Sequence, residues 1–230
     1  MTAHCVTLEA MRARIRSASP AGTSGVRLLA VSKGQPAAAI RELVRCGQRA
    51  FGENYVQEAL AKQRELAGVE VQWHIVGPLQ SNKCRDVAQH FDWLESLDRA
   101  KLVPLLGAAR PPGRPPLNVL IQVNIDDESS KHGCNPSQID ELARRVVATP
   151  GLVLRGLMAI PAPHPDPSMR IASFRRMSRH FEVLRARHPC VDTLSMGMSE
   201  DFEEAIACGA TEVRIGTALF GPRHQMEPAP

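Results

Sequence analysis

RLLAVSKGQPAAAIRELVRCGQRAFGEN, residues 27–54, is the stretch that sets the architecture. It opens on a short apolar run, Leu28 to Val31, that stops at Lys33 and is followed by Gly34 and Pro36. That pattern reads as a buried strand ending in a turn. PAAAIRELVRCG (36–47) has a helical pattern, and AFGEN (50–54) is a second strand. Strand, helix and strand in so short a span make a parallel βαβ unit.

Outward from this unit the alternation continues. After RLLAVSK (27–33) and AFGEN come VQWHIVGP (71–78), WLESL (93–97), NVLIQVNI (118–125), LVLRGLMAI (152–160), TLSMGMS (193–199) and EVRIGTALFG (212–221), eight strands in all. Helical stretches lie between them: YVQEALAKQRELAG, NKCRDVAQHF, DRAKLVPLLGAAR, PSQIDELARRVVA, MRIASFRRMSRHFEVLRARH and EDFEEAIACG. Eight such units in 230 residues predict an α/β fold, a (β/α)8 TIM barrel, in a single domain spanning 1–230. A doubly wound open sheet is the rival. No Gly-rich dinucleotide turn follows any strand to support it. An N-terminal helix is expected at about 4–18 and a frayed tail at about 223–230. The Pro-rich stretches RPPGRPP (110–116) and PAPHPDP (161–167) are loops, the first before strand five and the second after strand six.

Composition narrows the function. Hydrophobic residues make up 43 % and charged residues 23 %, as in an ordinary soluble domain. Aromatics are only 4 %, so the core is mostly aliphatic. The net charge of +4 is too diffuse to point to nucleic acid. The six cysteines, Cys5, Cys46, Cys84, Cys134, Cys190 and Cys208, show no zinc-ligand spacing, and no metal site is expected. Scattered cysteines suit a reducing cytosol better than a disulfide framework. The first twenty residues lack the apolar core of a leader, and no stretch approaches a membrane span. A cytoplasmic protein with no membrane partner is the expectation.

Barrel active sites lie at the carboxyl ends of the strands, with phosphates after strands seven and eight. Lys33 closes strand one. It reads either as a solvated strand-end lysine or as a half-desolvated amine. Desolvation favours the neutral, nucleophilic form that Schiff-base chemistry needs. Ser199 reads as a helix N-cap, as a phosphate ligand, or as both. On strand eight, Arg214 and Gly216 share one face while Val213, Ile215 and Thr217 take the other. Gly216 and Thr217 stand where a barrel phosphate would sit. Asn54, His74 and Asn124 add polar groups near strand ends; singly, each reads as a satisfied buried group. The arginines of the helix 169–188 read as a solvated face, opposite an apolar stripe of Ile171, Phe174, Phe181 and Leu184.

LLAVSKGQP, FGENYVQEALAK, WHIVGPLQSNK, QVNIDDESSKHG, GLMAIPAP and LSMGMSEDFEEAIACGATEVRIGTALFG together resemble the pyridoxal phosphate homeostasis protein family, single-domain relatives of the alanine racemase N-terminal barrel. The resemblance runs in order from about residue 27 to residue 221. It implies pyridoxal 5′-phosphate, the vitamin B6 cofactor, held as a Schiff base on Lys33. It further implies Ser199, Gly216 and Thr217 at the phosphate, Arg214 facing the pyridine nitrogen, and Asn54, His74 and Met158 lining the ring or its approach. One departure is Gly34, where the family pattern has Thr, Lys or Arg; it is expected to loosen the turn.

The function implied is pyridoxal phosphate homeostasis: holding, buffering or delivering the cofactor, with apoenzymes that depend on it as candidate recipients, in a monomer or weak homodimer. An arginine donates only, so it leaves the pyridine nitrogen unprotonated and the ring a weak electron sink. A racemase also needs a second acid or base. In the alanine racemase family that group is a tyrosine from a further domain, and the only tyrosine here is Tyr55. No enzymatic activity is therefore expected. A small pyridoxal-phosphate-dependent amino-acid racemase, with His74 or a water as second base, is the alternative. A Schiff-base aldolase is a weaker one, because no acid/base pair is evident near Lys33.

Overall fold

The computed structural model describes residues 2–20, 25–128 and 130–221. Helix α1 (Ala3–Ala18) comes first, capped by the Thr2 hydroxyl, which accepts from the Cys5 N–H at 3.4 Å. The barrel period follows: β1 (Arg27–Val31), α2 (Ala37–Arg45), β2 (Ala50–Glu53), α3 (Val56–Glu65), β3 (Gln72–Ile75), α4 (Cys84–His90), β4 (Trp93–Leu97) and α5 (Leu102–Ala109). Then come β5 (Leu117–Gln122), α6 (Ile139–Val147), β6 (Leu152–Met158), α7 (Pro167–Arg187), β7 (Thr193–Ser195), α8 (Phe202–Ala207), β8 (Glu212–Ile215) and α9 (Thr217–Phe220).

The eight strands pair in parallel in sequence order, and β8 closes on β1 through Leu28 opposite Val213 and Leu29 opposite Arg214. Closure leaves no sheet edge to protect. The expected (β/α)8 barrel is what forms. Its strands are shorter at their carboxyl ends than the apolar runs. β1 stops at Val31, so Lys33 lies in the turn beyond it. β7 stops at Ser195, so MGMS is loop. β8 stops at Ile215, Gly216 caps α9, and Thr217 is helical. The runs overshoot because residues past the last strand position stay buried beneath the βα loops, as Met196 does. Hydrophobicity records burial, not pairing.

Two layers of core follow from the strand period. Outward-facing residues such as Ala30, Phe51, Ile75, Val213 and Ile215 pack against the helices. α6 shows the matching stripe, with Ile139, Leu142, Ala143 and Val146 buried at helical spacing. Inward-facing Trp93, Leu120 and Met158 form a separate cluster inside the barrel. On α7 the apolar stripe buries Phe174, Met177, Phe181 and Leu184, while Ile171 is only half-buried. α9 is a single turn, too short to cover β8. α1 takes that place, packing against α2, α8 and α9 and adding Leu8, Met11 and Ile15 to the outer core.

One expectation about the cysteines is overturned. Cys5 on α1 and Cys46 at the end of α2 form a disulfide, with Cα atoms 5.5 Å apart. Cys84, Cys134, Cys190 and Cys208 are thiols. A pair separated by 41 residues carries no local spacing signal; only the docking of α1 beside α2 brings it together. The tail expected to fray at about 223–230 lies outside the described residues.

Candidate functional site

Lys33 sits half-buried at the barrel mouth in a turn that neighbouring elements hold from both sides. On one side, the Ser32 hydroxyl donates to Glu53 Oε1 at 2.6 Å, and Lys62 Nζ donates to the Ser32 carbonyl at 2.7 Å. On the other, the Gly34 N–H donates to Glu58 Oε1 at 2.6 Å. Lys62 also bridges Glu53 and Glu58, at 2.7 Å from each. Burial pushes the Glu53 carboxyl upward in pKa, and the Lys62 ammonium opposes it. Gly34 does not loosen this turn, as its sequence context suggested. Its φ of +69° is a conformation that favours glycine, and Glu58 fixes it there.

The loops after β7 and β8 bring the other expected residues to the same face. Ser199 is half-buried in a turn and is not the N-cap of α8. Asp201 takes that position, and its carboxylate accepts from the Met198 N–H at 2.6 Å. Gly216 adjoins strand one: a side chain there would lie 3.2 Å from the Val31 carbonyl oxygen. Thr217 follows, exposed at the start of α9. The turn carrying Lys33 and the loop carrying Gly216 and Thr217 are thus neighbours across the β1–β8 seam.

Arg214 points into the barrel. Its Nη1 donates to the Ser195 carbonyl and hydroxyl, each at 2.8 Å, and its Nη2 to the Ala159 carbonyl at 2.8 Å. These bonds use three of its five N–H groups. Burial lowers its pKa from the usual arginine value, and the Glu95 and Glu212 carboxylates oppose that shift. Beneath it lies a buried polar chain. Ser195 Oγ donates to Glu95 Oε2 at 2.8 Å, and Glu95 Oε1 meets His74 Nδ1 at 2.6 Å. Glu212 pairs with Arg27 at 2.9 Å and hydrogen-bonds Glu95. Burial, with Glu95 close by, pushes the Glu212 carboxyl up to about 7, while burial pulls His74 down to about 4. Donor atoms of His74, Glu95 and Glu212 lie within 4.8 Å of one another, a spacing a cation would accept. Arg27 pairs with Glu212, and Arg214 faces both carboxylates electrostatically, so the cluster already has countercharge beside it.

The whole chain has recognisable relatives. Residues 6–224 match the family described as alanine racemase, N-terminal domain. The pyridoxal phosphate homeostasis protein of Pseudomonas aeruginosa is 53 % identical over 220 residues, 94 % of each chain. That of Escherichia coli K12 is 54 % identical over 201 residues, 86 % of each. The chain belongs to the pyridoxal phosphate homeostasis protein family. Among solved structures, PipY of Synechococcus elongatus with PLP bound superposes with a TM-score of 0.83 at 37 % identity, covering 95 % of this chain and 100 % of that one.

Within this family member, the remaining expected residues have the following places. Asn54 lies just past β2, its backbone so close to Gly77 that a side chain on Gly77 would meet the Asn54 carbonyl oxygen at 2.2 Å. Met158 is fully buried against Trp93 and Leu120. His74 stacks on Trp93, rings 5.1 Å apart, and both its nitrogens are engaged, Nδ1 by Glu95 and Nε2 by Gln72 at 3.2 Å. Asn124 is used within its own loop, its amide bonding the Glu128 backbone twice. Glu53, Glu58, Lys62, Glu95 and Glu212 complete the site, and none was singled out from the sequence. In FGENYVQEALAK the charged residues look like a solvated helix face. In WLESL the glutamate looks like an outward strand position.

Proposed function

We propose that this protein binds pyridoxal 5′-phosphate at the barrel mouth and holds it in reserve for enzymes that require it, rather than turning over a substrate with it. The observation that carries the reading is the juxtaposition at the β1–β8 seam. A half-buried lysine on a clamped turn stands beside a glycine whose missing side chain leaves room against Val31. The residues fit the cofactor's chemistry. Lys33 is the amine for its aldehyde. Ser199, Thr217 and the Gly216 backbone are the donors for its phosphate, at the face where barrels bind that group. Arg214 supplies the donor toward its ring nitrogen, with Asn54, His74 and Met158 as the walls. When bound, the cofactor supplies an electrophilic aldehyde and an electron-withdrawing ring, a weak sink so long as its nitrogen stays unprotonated. The relatives named for pyridoxal phosphate homeostasis, and the PLP-bound PipY, support the same ligand.

The chain's own residues argue against turnover. Racemisation needs an acid or base on each face of the reacting carbon. His74 has both nitrogens occupied and a pKa near 4, so it is a poor proton carrier at neutral pH. Tyr55 is exposed at the start of α3. Racemase activity is therefore not favoured. We read the barrel with α1 as one domain, a monomer or weak homodimer working in the cytoplasm, where four free thiols are at home. Apoenzymes awaiting the cofactor are the recipients, with no nucleic-acid or membrane partner. No helix among the described residues is long and apolar enough to cross a membrane.

The test is chemical. Protein incubated with the cofactor should turn yellow, and borohydride should fix the added mass on the peptide containing Lys33, with Lys33→Ala losing it. Racemisation of alanine or serine should run no faster than with free cofactor. A colourless protein would refute the binding reading, and stereospecific turnover abolished by Lys33→Ala would refute the reserve.

A further inference from the structure

We infer that Cys5 and Cys46 form a reversible thiol–disulfide site that sets how firmly helix α1 closes the β8 side of the barrel, and through it how long the mouth retains its phosphorylated ligand. The ligand half of this inference rests on the function proposed above; the closure of α1 does not.

The pair sits at a mechanical junction. α1 stands in for the outer helix that β8 lacks, so the cover over the β8–β1 seam depends on its docking. Its amino-terminal turn touches two elements at once. His4 Nδ1 meets Glu42 Oε2 of α2 at 2.8 Å, and the His4 ring lies 6.3 Å from that of Phe220 on α9. The disulfide fastens this same turn to the end of α2. α9 begins at Gly216 and Thr217, the residues assigned to the phosphate. Four residues along, Phe220 is where α1 presses on it. Further down α1, Arg12 donates to the Cys46 and Gly47 carbonyls at 3.3 and 3.1 Å, and Arg14 pairs with Glu203 of α8 at 3.1 Å. These contacts hold the carboxyl half of α1 whatever the state of the cysteines. The disulfide therefore governs the amino-terminal half, the part against α9.

The pair is also placed to be reversible. Both residues are half-buried and within reach of a small molecule, and the other four cysteines are thiols. In the cytoplasmic setting proposed above, a disulfide that does form is usually transient or redox-sensing. The chemistry balances with one molecule of a low-molecular-weight disulfide. The Cys5 thiolate attacks it and releases one thiol, giving a mixed disulfide. The Cys46 thiolate then attacks the Cys5 sulfur and releases the second thiol. Two electrons pass from the protein to the small disulfide, and the two cysteine protons end on the two released thiols.

The experiment equilibrates the whole protein, loaded with pyridoxal phosphate, in buffers of oxidised and reduced glutathione, then reads three quantities. Alkylation under denaturing conditions should label four cysteines in the oxidised state and all six in the reduced state. Hydrogen exchange should rise on reduction in the first half of α1 and in α9, but not in α7. Transfer of the ligand to an excess of a competing aldehyde scavenger should be several-fold faster from reduced protein. Closure of a loop this long also predicts a melting temperature roughly 5–15 °C lower after reduction. Cys5→Ser and Cys46→Ser should match reduced wild type in both buffers, and Cys190→Ser should match wild type. Six labelled cysteines in oxidised glutathione would overturn the inference. So would a disulfide that forms while exchange in α1 and α9 stays unchanged. A response in exchange without a response in ligand release would overturn the coupling to the mouth. Failure to load the ligand in either state, with exchange still responding, would instead count against the proposed function.

Discussion

Ser199 and Thr217 lie outside the packed core, one half-buried in the loop after β7, the other exposed at the start of α9. Replacing both with alanine should leave stability within about 0.5 kcal/mol, the range of surface substitutions. Retention of pyridoxal phosphate should nevertheless fall roughly hundred- to ten-thousandfold, because hydrogen bonds to a charged phosphate contribute about 1.5–3 kcal/mol each and two are removed. Phosphate-free pyridoxal should lose far less. Equilibrium dialysis with both ligands checks this, and equal losses would place the phosphate elsewhere. Arg214 behaves differently because it belongs to the interior as much as to the mouth. Arg214→Gln would strip the buried Glu95 and Glu212 carboxylates of a cation. A destabilisation of about 3–5 kcal/mol is expected, because Glu95 is left buried without the cation that faces it and the bonds to Ser195 and the Ala159 carbonyl are lost. A urea midpoint unchanged from wild type would mean that the carboxylates are neutralised by another route.

The three elements β1, β2 and α3 act as one device around Lys33. Glu53 ends β2, Glu58 and Lys62 lie one helical turn apart on α3, and together they grip the residues on either side of the lysine. Lys62→Met should cost about 3–5 kcal/mol in urea unfolding, since it strands Glu53 at zero exposure. Lys62→Met combined with Glu53→Gln should recover part of that loss, because the abandoned charge goes with the lysine. A double variant as unstable as the sum of the singles would show that the two residues act independently. This device marks the limit of what the sequence discloses. Strands and helices were legible because each buried face imposes its own period, and the placing of Lys33, Ser199, Arg214 and Gly216 at or just beyond strand ends was legible for the same reason, whatever their roles. Glu53, Glu95 and Glu212 were not, because a lone carboxylate in a strand looks the same whether it faces water or a cation brought to it by another element. The Cys5–Cys46 bridge was hidden for a related reason: its two halves meet only once α1 has docked.

At the scale of the molecule, the buried His74 and Glu212 tie the stability of the barrel interior to pH. His74 titrates near 4 in the folded protein, against 6.5 when unfolded. Its contribution is complete above pH 6.5 and is lost as pH falls toward 4, because only the unfolded chain takes up the proton in between. Glu212 works in the other direction. Its carboxyl is raised from 4.5 to about 7 by burial first, then by Glu95. Its contribution is complete below pH 4.5 and is lost as pH rises through 7, because the unfolded chain then releases a proton that the folded chain keeps. Between pH 4.5 and 6.5 folded and unfolded chains hold the same number of protons on this pair, so the two effects cancel and the pair is silent in wild type. Glu212→Gln uncovers it. The amide keeps the shape of the protonated acid and removes its titration. The stability of wild type relative to Glu212→Gln should therefore grow by roughly 3 kcal/mol as pH falls from 7 to 4.5, at 1.36 kcal/mol per pKa unit. Urea unfolding of both proteins at half-unit steps of pH measures that difference directly, and the other carboxylates, common to both, drop out of it. Parallel curves across the interval would mean that Glu212 is already ionised against Arg27 at pH 5, and that the interior holds no proton.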